Sequence, residues 1–121
     1  MIATVVLNLP ISGAGCGAIR LITDGVEFEV EVFDGQRRAG RLVFDTVAAF
    51  RFRDEMHSLG YAEDSYDTVV EIEDSDWLKH ILSIEPESIL LTAKRSKHFA
   101  VMLSSNGYLE VIARSVSFER E

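Results

Sequence analysis

Cysteine is almost absent from this chain: Cys16 is the single thiol among 121 residues. A lone thiol forms no internal disulfide. A secreted disulfide scaffold is therefore excluded, and a reducing, cytoplasmic setting is the simpler expectation. Proline occurs only twice and no low-complexity tract is present, which argues against a disordered chain. No apolar run approaches the ~20 residues of a membrane-spanning helix. No Lys or Arg precedes the first apolar run either, so the charged start of a secretory signal is missing. Gly13-Ala14-Gly15-Cys16 has the small residues of a lipoprotein cleavage site, but Gly13 stands where such sites usually carry Leu, and Cys16 is read as structural. Basic residues are also scarce, with 12 Lys and Arg against 20 Asp and Glu, a formal net charge of −8. That balance repels nucleic acid. The nearest approach to a basic patch, Lys94, Arg95, Lys97 and His98, reads as a solvated hairpin end.

What is present is an ordinary globular composition, 47% hydrophobic and 26% charged, in a length that suits one domain over residues 1–121. The clearest element is a strand from Val26 to Phe33. Val26, Phe28, Val30 and Val32 alternate with Glu27, Glu29 and Glu31, a period of two that puts one face in a core and one in water. Residues 41–45 follow as a second strand. Register is set by burial: a loop from Asp34 to Arg38 pairs Phe28 with Phe44, Val30 with Leu42 and Glu31 with Arg41. A two-residue turn at Asp34-Gly35 would instead set Phe28 against Arg41. A third strand over 47–53 has Ala48, Phe50 and Phe52 inward and Arg51 and Arg53 outward.

Elsewhere, residues 3–9 read as a strand, 12–18 as a Gly- and Ala-rich loop, 54–66 as a polar connection and 68–72 as a short strand. Asp74 or Ser75 caps a helix whose Trp77, Leu78, Ile81 and Leu82 share a face, with Pro86 beyond its end. Residues 88–93 look extended. Residues 98–103 and 108–113 flank Asn106-Gly107, a strong hairpin signal, and Val116 and Phe118 prolong the last strand. Both of these strands are apolar on both faces, as expected of central strands covered on two sides or of a homodimer contact.

Few chemistries survive a check against their surroundings. Gly13-Ala14-Gly15-Cys16-Gly17-Ala18 matches the dinucleotide fingerprint in its alanine form, but the strand from Val26 leaves little room for the crossover helix that motif needs. Cys16 has no local activating base, and no serine sits in a G-x-S-x-G elbow. His57, His80 and His98 lack the helical spacing of metal ligands. The acidic stretch of Glu63, Asp64 and Asp67, continued by Glu71, Glu73, Asp74 and Asp76, lacks the glycine of a calcium loop, since Gly60 stands in the wrong place. No catalytic, cofactor or metal residue is assigned, and no cofactor is expected.

Phe50-Arg51-Phe52-Arg53-Asp54-Glu55 and the final hairpin resemble small stand-alone proteins of bacterial genomes that lack an assigned function. The resemblance names no family and transfers no role. The expected fold is α+β and mainly antiparallel: a strongly bent sheet or partial barrel of seven or eight short strands, with one short helix near residues 75–82. The expected function is a soluble, acidic, non-enzymatic protein-interaction module, including a homodimeric form, with Glu27, Glu29 and Glu31 as a docking surface for a basic partner. Two alternatives are an immunity-type inhibitor of a basic toxin and a small-molecule-binding or enzymatic domain with a pocket in the curved sheet. A pocket holding His57, His80 or His98 would favour the last of these.

Overall fold

A computed structural model of the chain describes residues 2–9, 15–22, 27–53, 68–84, 96–103 and 107–120. Within these, β1 (Ile2–Asn8), β2 (Gly15–Ile22), β3 (Glu27–Asp34), β4 (Arg37–Arg53), β5 (Thr68–Glu73), β6 (Lys97–Leu103) and β7 (Gly107–Arg120) are joined by one helix, α1 (Asp76–Ile84), which follows β5 in the chain. The strands form one antiparallel sheet in the order β1-β5-β6-β7-β4-β3-β2. The α+β, mainly antiparallel expectation is met. The sheet is open, with β1 and β2 at its ends, and closure into a barrel is not seen among the described residues.

Two long strands replace several short ones. Residues 41–45 and 47–53 are parts of a single 17-residue β4, and β7 runs for 14 residues. Both halves of β4 pair with β7, while the first half also pairs with β3. Between the halves the ladder slips at Val47/Ala49, and Thr46 takes a positive φ of 53°. This irregularity bends the sheet sharply. Phe28 pairs with Phe44, and a straight strand would carry Phe50, six residues on, roughly 20 Å away. Instead the Phe28 and Phe50 rings lie 4.6 Å apart, and Phe44 reaches Phe99 on β6 at 6.2 Å.

The bend closes the main core. Phe28, Val30, Val32, Leu42, Phe44, Val69, Phe99, Val101, Leu109 and Val111 pack together on its inner face. A smaller cluster of Val70, Ile72, Ala100 and Tyr108 lies on the other face of β5–β7. The two central strands, β6 and β7, are thus covered on both sides, which accounts for their two-faced apolar pattern.

The register anticipated from burial forms: Phe28 faces Phe44, Val30 faces Leu42 and Glu31 faces Arg41. It is reached by a different route. The turn is tight, with Asp34 opposite Arg37 and Gly35 at a φ of 64°. A bulge between Val32 and Phe33 then restores the alignment of the apolar faces. At Gly40 the strand presses against β7, and a Cβ there would collide with the Glu119 carbonyl oxygen and the Phe118 ring.

Four expectations need correction. Gly15, Cys16, Gly17 and Ala18 lie in β2, paired with β3, rather than in a loop. Phe50 and Phe52 share the core face yet stay 47% and 42% exposed. Arg51 does not face open water but reaches into a buried cluster. Glu29, expected in water, is 3% exposed. The expectations for 23–26, 54–67, 85–95 and 104–106, including His57, the extended segment 88–93 and the Lys94-Arg95 pair, lie outside the described residues.

Phe28→Ala removes a fully buried ring at the bend and should cost about 3–5 kcal/mol, whereas Phe52→Ala should cost far less. Urea denaturation of both variants checks this, and equal, small losses would show that the bend is not where the core is held.

Candidate functional site

The outer face of β5–β7 carries a run of linked polar side chains under α1. It begins where β5 ends. Asp74 adopts a φ of 54°, turning the chain so that Ser75 becomes the N-cap of α1. Ser75 Oγ accepts the Leu78 amide at 3.1 Å and its carbonyl accepts the Lys79 amide at 3.1 Å. A serine here serves the first turn better than an apolar residue because the Leu78 amide precedes the first helical backbone bond and has no helical partner.

Ser75 Oγ also lies 2.6 Å from His98 Nδ1, and His98 Nε2 lies 2.7 Å from Glu110 Oε1. Arg51 closes the chain, donating from Nε to Glu110 Oε2 at 2.7 Å and from Nη2 to Oε1 at 3.0 Å. An ionised carboxylate only accepts, so His98 Nε2 donates to Glu110; in the neutral imidazole that leaves Nδ1 as the acceptor for the Ser75 hydroxyl. Register explains the assembly: Arg51 stands directly opposite Glu110, and Glu110 opposite Ala100, two residues along from His98. Trp77 covers the group, with its ring edge-on to His98 at 5.1 Å and Arg51 Cζ 4.1 Å above its centroid. Ser75, His98 and Glu110 are 4%, 2% and 0% exposed.

Burial alone would push the Glu110 carboxyl up. The hydrogen bonds from His98 and Arg51, with the guanidinium charge, outweigh it and hold the group at about 2. Chemically the chain is a hydroxyl, an imidazole and a carboxylate in relay order. It is at the same time a device that fastens α1 to the sheet. Beside it, a cavity of about 330 Å³ opens between α1 and the ends of β5 and β6, walled by Ile72, Leu78 and Leu82 and touching Ser75 and His98.

The acidic row expected on β3 is arranged differently from a free stripe. Arg41 binds Glu29 at 2.8 Å and Glu119 at 2.6 Å, and Arg38 lies 3.3 Å from Glu31. Glu27 pairs in register with Asp45, acid against acid. Of the three histidines, His98 is central to the buried chain and His80 sits on the exposed side of α1.

Sequence reasoning found His98 and the Ser75 cap but missed Glu110, Arg51 and the covering role of Trp77. The available signal was a lone charge inside each of two apolar runs, Glu110 within 108–113 and Arg51 between Phe50 and Phe52. Such charges are buried only when paired.

No protein-family model matches the sequence, and comparison with curated proteins gives no match. Among solved structures the chain is similar to an uncharacterised protein from Neisseria gonorrhoeae, with a TM-score of 0.53, 7% identity and the whole of both chains covered. At that identity the likeness concerns the fold alone.

A carboxyl held low in the folded state contributes stability that is full above its unfolded value near 4.5 and is lost as pH falls toward about 2. Thermal melts between those values should show this loss in the wild type. In Glu110→Gln, which starts less stable, that part of the pH dependence should disappear; an unchanged profile would mean the carboxylate is not paired as described.

Proposed function

We propose that the chain is an acidic protein-interaction domain whose partner presents a basic surface. The observation that carries this reading is the like-charge pairing of Glu27 with Asp45 on the outer face of β3 and β4. Facing acids on neighbouring strands destabilise a sheet. The described cations farther along this ladder, Arg41 and Arg38, bond to Glu29, Glu119 and Glu31 instead. With 20 acidic against 12 basic residues in the chain, the field around this face favours a cationic partner. The docking surface is therefore centred on Glu27 and Asp45, with Glu31 at its margin and Glu29 serving to hold Arg41. An immunity-type inhibitor of a basic toxin is the narrowest form of this proposal. A homodimeric form draws support from edge strand β1, where Val5 and Val6 are 55% and 45% exposed.

The test is capture of a partner from native lysate at low salt, followed by association kinetics with the purified pair. Glu27→Lys with Asp45→Lys should slow association by about tenfold or more at low salt and little at high salt, because steering is screened. The fold should survive, since neither side chain is buried. Equal association rates at low salt would overturn the proposal.

A further inference from the structure

We propose that Ser75 is a nucleophile and that the cavity beside it accepts small carboxylic esters with a short apolar acyl group. Four observations converge. Hydroxyl, imidazole and carboxylate follow one another at 2.6 and 2.7 Å on three separate elements, the order that lets a base take a proton and a carboxylate steady the resulting cation. The nucleophile stands at a sharp strand-to-helix junction, made by Asp74 at a φ of 54°, without any G-x-S-x-G pattern to announce it. The entry of α1 supplies a backbone donor at the reacting oxygen, since the amide of Leu78, a residue that lines the cavity, lies 3.1 Å from Ser75 Oγ. The cavity of about 330 Å³ touches both Ser75 and His98 and offers the apolar walls of Ile72, Leu78 and Leu82. That volume is at the small end for a ligand site, which sets the limit on the acyl group.

The step balances within the protein, the ester and water. Ser75 Oγ attacks the carbonyl carbon and its proton passes to His98 Nδ1. The carbonyl electron pair moves onto oxygen. As the carbonyl re-forms, the bond to the alkoxy group breaks, and the departing alcohol takes the proton from Nδ1. Water then repeats the sequence on the acyl-enzyme, releasing the acid and restoring Ser75. Arg51 keeps Glu110 ionised throughout, and the Leu78 amide, already on Oγ, stabilises the oxygen as its proton leaves.

The capping role of Ser75 is the competing explanation, and it dictates the variants. Asn also caps helices, so Ser75→Asn should melt close to the wild type while lacking the nucleophile. The full chain is treated with a fluorophosphonate, read by intact mass and peptide mapping, and with p-nitrophenyl acetate, read as product release. The wild type should gain one adduct, on Ser75. Ser75→Asn should gain none. His98→Gln should slow labelling by at least about 100-fold, the usual contribution of a general base. No adduct on the wild type, an adduct on another residue, or equal labelling of Ser75→Asn would each overturn the proposal. None of these results bears on partner binding at Glu27 and Asp45, so the two proposals stand or fall separately.

Discussion

A carboxylate in the middle of a sheet has to be paired, and Glu110 organises its surroundings around that requirement. It sits on β7, the strand that joins the two halves of the sheet, and is fully buried. Arg51 answers it from the facing position on β4, His98 answers it from β6, and Ser75 and Trp77 complete the set from α1 and its entry turn. Four residues, from β4, β6, α1 and the turn that enters it, are thus arranged about one negative charge. Removing one partner from such a pair typically costs 3–5 kcal/mol, a large part of the roughly 5–15 kcal/mol by which a domain is stable. Among the described residues, α1 has no buried residue of its own.

The second constraint is the bend in β4. A 17-residue strand cannot serve two halves of a sheet and still enclose a core unless it turns. The slip at Val47/Ala49 and the positive φ of Thr46 supply that turn. The inner face then gathers an apolar core, built on Phe28, Phe44, Phe50 and Phe99. The polar chain is excluded to the opposite face, where a single helix covers it. The two faces of β6 and β7 therefore do different work, one packing the main core and the other holding a charge under a helix.

The charges divide in the same way. Arg51, Arg41 and Arg38 all turn toward acids of this chain. These three cations are used internally, and the excess of 20 acidic over 12 basic residues in the chain defines the outer field. This is the physical basis for expecting a cationic partner, and it holds whatever the reactivity of Ser75.

Much of the fold was legible in local pattern. The alternation from Val26 to Val32 identified β3 and its buried side, and matching apolar faces was enough to set Phe28 against Phe44, because a slip of one residue would put every side chain on the wrong face. The cap and apolar face of α1 and the final hairpin could be read for similar reasons, each being a signal carried within a dozen residues. The sequence by itself could not say that 41–45 and 47–53 are one bent strand, that Gly15–Ile22 is a strand, or that Glu29 is covered by Arg41. Those outcomes depend on neighbours far away in the chain. The same holds for the buried group: Ser75, His98, Glu110 and Arg51 are separated by up to 59 residues between paired partners. Only the pairing of β4, β7 and β6, stacked in that order, brings them within hydrogen-bonding distance. Periodicity records which side of a strand is apolar; it does not record which strands will lie side by side, and that is what decided the site.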